Sequence, residues 1–193
     1  KAVDLFHQIG LRGLIRQGAS ESAVSAAIFQ MANELYGVKQ HWHKRIVRSG
    51  PNTLAPYAEN PPDRIITGDD IVFLDLGPVF EDWEADFGRT FVLGDDPAKH
   101  KLRIDVEKAF ARGKEYFQAT PDIKASELFD HAVQLAHDAG WEYGGTIAGH
   151  LIGHFPHERI AEDKISLYVH PENHSPIRQL GRDGFPRHWI DRK

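Results

Sequence analysis

The stretch DDIVFLDLGPVFEDWEADFGRTFVLG, residues 69–94, carries two strand signals separated by a turn. Residues 71–74 form a continuous apolar run after a Gly-Asp turn signal, as expected for a buried strand. Residues 87–93 predict the returning strand, and the turn falls around residues 80–82. The stretch therefore predicts an antiparallel β-hairpin.

Two aspartates, Asp75 and Asp86, lie 11 residues apart and almost symmetrically about this turn. If the hairpin pairs in that register, their Cβ atoms face one another at about 5 Å, which brings like charges together. Such a pair is explained by protonation of one carboxylate, by an arginine such as Arg89, or by a divalent cation between the two. Alternatively, the register differs by one residue and one aspartate faces solvent.

Helical patterns flank the hairpin on both sides. Residues 20–36 predict an amphipathic helix with Ser20 as its N-cap and Gly37 as its stop. Apolar residues at helical spacing predict two further helices, over residues 98–118 and 126–139. The chain therefore combines helices with antiparallel strands.

The composition limits the classes of function. The 193 residues are 41% hydrophobic and 26% charged, as in a soluble globular protein. A net charge of −5 without a Lys/Arg stripe predicts no nucleic-acid partner. No apolar run approaches the roughly 20 residues of a membrane span and no signal peptide is recognisable, so we predict no membrane partner and a cytoplasmic location. Since the chain has no cysteine, a metal site must use His, Asp and Glu.

The histidines concentrate in the stretch GHLIGHFPHE, residues 149–158. Its glycines and proline argue against a helix and predict an extended segment with a sharp bend. Two carboxylates without thiols need an imidazole to complete a borderline metal site, and the glycines on either side of His150, Gly149 and Gly153, would let the backbone approach a metal closely. The alternative is a surface histidine cluster in a chain with 12 histidines. His41 and His43, in QHWHKR, are expected near the mouth of a site at most, and surface packing is the favoured role.

Three segments together resemble a known family, the pita-bread metallopeptidases, which include methionine aminopeptidases, Xaa-Pro aminopeptidases, prolidases and creatinase. LDLGPVFEDWEADFGRTF resembles the paired-aspartate hairpin of the family, and GHLIGHFPHE resembles its ligand-histidine segment. The loop SGPNTLAPYAENPPDRIITGDDIVFLDLG, residues 49–77, resembles the segment that leads into the first aspartate. The resemblance covers most of residues 10–160 in the order of the family.

The resemblance implies an α+β pita-bread fold, in which a curved antiparallel sheet with outer helices has pseudo-twofold internal symmetry. It implies a single catalytic domain over residues 1–193, which we expect to be incomplete at its C-terminus. Asp75, Asp86 and His150 would be metal ligands for two divalent ions (Mn, Co, Fe or Zn). His157 would contact the substrate and stabilise the tetrahedral centre.

Two departures from the family pattern affect what the resemblance implies. The Pro-His that usually ends the loop before the first aspartate reads Pro-Tyr here, so Tyr57 takes the substrate-facing position. Tyrosine donates a hydrogen bond but is a poor base at neutral pH. The two glutamate ligands of the family, usually in a Glu-Pro context, are not identified, because Glu158, Glu162 and Glu172 lack that context.

The leading hypothesis is therefore a metal-dependent peptidase of the Xaa-Pro aminopeptidase or dipeptidase type, with a peptide substrate and a metal-activated water. One alternative is a catalytically inactive pita-bread module that binds peptides or proteins, which the tyrosine and the missing glutamates would suit. Another is a creatinase-like C–N hydrolase, against which the retained aspartate pair argues. Members of the family are often dimeric, so a homodimer is expected, although no feature of the sequence establishes a contact surface.

Overall fold

The computed structural model describes residues 1–156 and 165–177. Over the described residues, the chain divides into two compact units: residues 1–103 with 152–156, and residues 104–151 with 165–177. Among the described residues, no helix combines the length and the apolar character that a membrane span requires.

The helices follow the sequence patterns closely. Ser20 caps the second helix by accepting a hydrogen bond from the Ala23 N–H, and Gly37 ends it in the left-handed region at φ 70°. The helices predicted over residues 98–118 and 126–139 are both confirmed within a residue or two. The described helices are α1 (Ala2–Leu11), α2 (Glu21–Tyr36), α3 (Pro97–Ala119) and α4 (Ala125–Asp138), with a short 3-10 helix over Gly50–Leu54.

The strands form small antiparallel sheets. The largest has three strands in the order β1-β2-β5, while β3 pairs with β4 and β6 pairs with β7. The ranges are β1 (Ile46–Ser49), β2 (Ile71–Leu76), β3 (Val79–Phe80), β4 (Trp83–Glu84), β5 (Phe87–Val92), β6 (Gly149–His150) and β7 (Tyr168–Val169). The predicted hairpin is thus confirmed, whereas β1 is a strand that the sequence analysis did not predict.

The register of the hairpin differs from the expected one by two residues. Asp75 pairs with Gly88, so Asp86 lies two residues from the position directly opposite Asp75. The face-to-face arrangement of the two carboxylates is therefore wrong. Because side chains alternate with a period of two, the shift leaves both aspartates on the same face, as diagonal neighbours.

The strand β2 is buried on one face only. Val72, Leu74 and Leu76 are inaccessible to solvent, while the residues between them are partly exposed. The apolar run predicted a buried strand, but only one face of β2 is buried. Asp75 is among the partly exposed residues of the other face. The buried face packs on α1 and α2 through Leu5, Ile9 and Ile28, also inaccessible. Each such side chain contributes roughly 1.5–3 kcal/mol, so this core holds β2 rigidly.

A buried carboxylate fixes the loop after β1. Glu21, which begins α2, is only 6% exposed. It accepts hydrogen bonds from the Ser49 backbone N–H at 2.6 Å, the Ser49 hydroxyl at 2.8 Å and the Asn52 amide at 2.8 Å. The end of β1 and the 3-10 helix are thereby tied to the start of α2.

The second unit has a smaller core. Phe117 of α3 packs with Ile123 and Leu128. Asn173 is buried and its amide donates to the carbonyls of Ile165 at 3.0 Å and Tyr168 at 2.9 Å. These hydrogen bonds hold the chain that forms β7, the partner of β6.

Replacing Glu21 by glutamine tests the buried network. We expect Glu21→Gln to lower the free energy of unfolding by about 1–3 kcal/mol, because an amide NH₂ replaces an acceptor of buried donors. Urea unfolding at pH 7 measures the difference. The control is Glu34→Gln, on the exposed side of the same helix, which should change the value by no more than about 0.5 kcal/mol. Equal losses in the two variants would contradict this role of Glu21.

Candidate metal centre

Three side chains of the first unit converge on the half-open face of β2. The Nε2 atom of His43 lies 3.6 Å from an oxygen of Asp75 and 3.8 Å from an oxygen of Asp86. One potential ligand atom from each residue lies within 4.8 Å of the other two. The His43 side chain is 8% exposed, whereas those of Asp75 and Asp86 are 31% and 24% exposed. The site is thus acidic and open on one side, with an imidazole on its buried side.

His43 reaches the aspartates through an irregularity before β1. The pairing with β2 shifts by two residues there, so that residues 42–45 stand opposite only residues 76 and 77. Extra residues in one strand form a bulge, which bends the strand and redirects its side chains. The bulge turns His43 toward the carboxylates.

A glycine provides the space for this imidazole. A Cβ atom placed on Gly77 would lie 2.2 Å from Cδ2 and 2.4 Å from Nε2 of His43. Two hydrogen bonds fix Trp42 beside this imidazole. Its backbone N–H donates to the Gly77 carbonyl at 2.9 Å, and its indole N–H donates to the Ala85 carbonyl at 2.8 Å. The Trp42 and His43 rings meet edge to face with centroids 4.6 Å apart. The imidazole is therefore confined on two sides.

The hydrogen bonding of His43 defines its tautomer. Nδ1 lies 2.7 Å from the Lys44 carbonyl oxygen, which can only accept, so Nδ1 carries a proton. Nε2 is buried and has no hydrogen-bond partner among the described residues. Burial lowers the pKa of His43, but the carboxylates of Asp86 and Asp75, together with the bond to Lys44, outweigh it and raise the pKa above its ordinary value.

His41 differs from His43 although only one residue separates them. Its ring lies 5.7 Å from the Phe29 ring, and neither ring nitrogen has a hydrogen-bond partner in the described part of the chain. Burial, with smaller contributions from Arg45 and His43, lowers the pKa of His41 to about 4. His41 is therefore a neutral packing residue, in contrast to its neighbour.

Tyr57 lies beside the same site. Its ring centroid is 6.3 Å from that of His43, and the Lys44 ammonium lies 4.6 Å above the ring. The loop that carries it is held by the buried Arg48, whose guanidinium donates to the carbonyls of Ala55, of Pro56 at 3.2 Å and of Glu59 at 2.7 Å. Tyr57 is half exposed, so its phenol is accessible to a ligand.

His150, the third predicted ligand, belongs to the second unit. It ends β6, which confirms that this segment is extended rather than helical. Its Nδ1 lies 3.0 Å from the Leu151 carbonyl oxygen, so the proton is again on Nδ1. His157, Glu158 and Glu162 lie outside the described residues, and Glu172 is exposed in a turn.

His43 was expected near the mouth of a site at most, with surface packing favoured, and surface packing is wrong, because its side chain is buried beside both aspartates. The available signal was the run IVRS, which is β1 and pairs antiparallel with β2. Recognising that strand would have placed Ile46 opposite Asp75, but His43 reaches the aspartates only through the bulge that precedes β1. Arg89, considered as a neutralising partner, extends its guanidinium over the Phe6 and Phe87 rings, at 5.3 and 5.5 Å.

The donor set fits a divalent cation. Two carboxylates supply negative charge, and the buried Nε2 of His43 is a nitrogen donor without another partner among the described residues. Oxygen and imidazole donors together suit Mn, Fe, Co and Zn. A cation would also offset the repulsion between Asp75 and Asp86.

A family model for metallopeptidase family M24 matches residues 1–178. The chain is 32% identical over 156 residues to a Xaa-Pro dipeptidase of Lactobacillus delbrueckii subsp. lactis, covering 80% of this chain and 42% of that one. It is 29% identical over 145 residues to a Xaa-Pro dipeptidase of Pyrococcus horikoshii, covering 75% and 40%. The chain thus spans about two fifths of the length of these relatives.

Solved structures match over most of the chain. An X-Pro aminopeptidase from Thermotoga maritima superposes with a TM-score of 0.72 at 22% identity, covering 91% of this chain and 48% of that one, which shows the fold alone. A dipeptidase from Pyrococcus horikoshii gives 0.69 at 26% identity, covering 91% and 46%. The predicted resemblance and the α+β pita-bread class are confirmed.

Adding a methyl group at Gly77 tests whether this glycine provides the space for the His43 imidazole. We expect Gly77→Ala to lower the free energy of unfolding by about 1–3 kcal/mol, because the new Cβ overlaps His43. The control is Gly88→Ala in the same hairpin, where the Cβ meets only the Leu74 carbonyl at 3.5 Å, an ordinary contact. Urea unfolding compares the two. Equal stability of the two variants would show that His43 is not confined by Gly77.

Proposed function

The chain belongs to metallopeptidase family M24, and from that premise we propose that it carries out metal-dependent hydrolysis of an N-terminal peptide bond, as an aminopeptidase or dipeptidase of the Xaa-Pro type. The observation that carries the proposal is the cluster of His43, Asp75 and Asp86, with ligand atoms within 4.8 Å of one another. An acidic, half-open cluster with a buried imidazole is the kind of site that binds a catalytic divalent metal.

Asp75 and Asp86 are the proposed carboxylate ligands. Both side chains are partly exposed on the same face of the hairpin, and the rigid core behind β2 fixes their separation. We propose two divalent ions, of Mn, Co, Fe or Zn, on the basis of the family resemblance. When bound, such ions lower the pKa of a water molecule and polarise a carbonyl group.

The histidines of the GHLIGHFPHE segment have separate proposed roles. His150 is proposed as a further metal ligand, supported by its Nδ1–H bond to Leu151, which keeps the ring in the tautomer whose Nε2 can coordinate. His157 is proposed, on the resemblance alone, to contact the substrate and to stabilise the negative charge that develops on the carbonyl oxygen.

Tyr57 is the proposed substrate-binding residue in the loop before β2. Its half-exposed phenol lies beside His43, and Arg48 holds the loop through backbone carbonyls. A phenol at neutral pH donates a hydrogen bond and does not act as a base. Tyr57 is thus suited to orient a peptide carbonyl rather than to move a proton.

The names of the relatives support a substrate class. Those reported above are named Xaa-Pro dipeptidase, X-Pro aminopeptidase and dipeptidase, so a short peptide with proline in the second position is the proposed substrate. A creatinase-like hydrolysis is disfavoured by the retained carboxylate pair. The single catalytic domain over residues 1–193, the homodimer and the cytoplasmic location stay predictions from the sequence.

Replacing one aspartate tests the proposal. In Asp86→Asn we expect the metal content, measured by mass spectrometry, to fall from about two ions per chain toward zero. We also expect kcat/KM on an Xaa-Pro dipeptide to fall by at least about 100-fold, because a neutral amide is a weak metal ligand. The control is Asp82→Asn, an exposed carboxylate at the turn of the same hairpin.

The control variant should retain the metal and the activity of the unmodified protein. Unchanged metal content and unchanged hydrolysis in Asp86→Asn would remove the basis for a catalytic metal at this site. If the unmodified protein binds metal and Asp86→Asn does not, but the unmodified protein cleaves no Xaa-Pro peptide, the peptide-binding module is favoured.

A further inference from the structure

We propose that His43 is itself a metal ligand, which binds through Nε2 next to Asp75 and Asp86. The inference rests on the proposed metal site and adds to it a nitrogen donor from the segment before β1. The resemblance assigned no metal ligand to that segment.

The distances suit a shared cation. Metal–nitrogen and metal–oxygen bonds of about 2.0–2.2 Å place two ligands of one ion roughly 3–4 Å apart. His43 Nε2 lies 3.6 Å from the Asp75 oxygen and 3.8 Å from the Asp86 oxygen. These separations are too long for direct hydrogen bonds and fit donors around one ion.

The tautomer of His43 is the one that a ligand requires. The bond from Nδ1–H to the Lys44 carbonyl leaves the lone pair of Nε2 directed at the site. Metal-binding histidines usually make such a bond to a carbonyl or carboxylate, which fixes the ring and increases the basicity of the other nitrogen. His150 makes the same bond to the Leu151 carbonyl, so both imidazoles are held in the same way.

The residues around His43 hold its imidazole in one position. The bulge over residues 42–45, the absent side chain of Gly77 and the edge of Trp42 together hold a buried imidazole whose Nε2 has no hydrogen-bond partner in the described part of the chain. A buried polar nitrogen without a partner is costly, and a bound cation removes that cost.

A nitrogen ligand has a consequence for the choice of metal. Mg²⁺ and Ca²⁺ prefer oxygen donors, whereas imidazole suits Fe and Zn, and the affinity of a given site rises from Mn²⁺ through Fe²⁺ to Co²⁺. His43 should therefore shift the preference of the aspartate pair from hard cations toward transition metals.

The test is a Co²⁺ titration of the protein after removal of metal by a chelator, at pH 8. The visible absorption of bound Co²⁺ reports its ligands, and the titration gives its affinity. Four proteins are compared: the unmodified chain, His43→Ala, His41→Ala as the matched control, and Asp86→Asn. We expect His43→Ala to weaken binding by about 100-fold and to change the spectrum, since even indirect partners of a ligand are worth 10–100-fold. His41→Ala should match the unmodified chain.

The outcomes separate this inference from the proposed function. If His43 only neutralises the carboxylates, His43→Ala leaves the site more negative, so Co²⁺ binds equally or more tightly with an unchanged spectrum, and the inference is overturned. If Asp86→Asn also binds Co²⁺ like the unmodified chain, the proposed metal site itself fails. Should His43→Ala fold poorly, imidazole ¹⁵N spectra of the unmodified chain decide: Zn²⁺ must shift the Nε2 resonance of His43, and an unshifted resonance overturns the inference.

Discussion

The mutual repulsion of two carboxylates on one face of a hairpin is the constraint on which the rest of this structure depends. Asp75 and Asp86 are diagonal neighbours across β2 and the chain leading into β5, and both are partly withdrawn from solvent. Holding like charges at this separation is unfavourable, so the surrounding structure must be rigid and must supply compensation. The apolar core behind β2 supplies the rigidity, and the imidazole of His43 lies where the compensation is needed.

The features that surround the pair are explained by this constraint. The bulge before β1 places an imidazole against both carboxylates, and Gly77 gives it room. Arg48 and Glu21 satisfy the backbone of the intervening loop from its buried side, which keeps Tyr57 beside the imidazole. The inward-facing polar groups of this loop are thus bonded to Glu21 and Arg48. The carboxylates of Asp75 and Asp86 and the phenol of Tyr57 lie on the open side.

Local signals in the sequence were enough for the helices and for the existence of the hairpin. Ser20 and Gly37 mark the ends of α2 through a side-chain cap and a left-handed residue, both of which act within a few residues. The register of the hairpin was not predictable in the same way, because a turn over Glu81 and Asp82 and a turn one residue earlier look alike in sequence. Only a shift of even size keeps both aspartates on one face, and the structure shows a shift of two.

The position of His43 was beyond local reasoning for a different reason. Its approach to Asp75 depends on the pairing of β1 with β2 and on extra residues in one strand, which are non-local features. Motif spacing pointed to the two aspartates and to His150 as candidates, since those residues lie within recognisable segments. His43 lies outside these segments, and its place beside the aspartates is visible only from the distances in the folded chain and from a buried nitrogen without a partner among the described residues.

The most direct measurement is anomalous diffraction at the cobalt edge from crystals of the protein grown with Co²⁺. We expect an anomalous peak bounded by the carboxylates of Asp75 and Asp86 and by Nε2 of His43, at about 2.0–2.2 Å from each. A cobalt peak elsewhere in the chain, with these three side chains unligated, would contradict it.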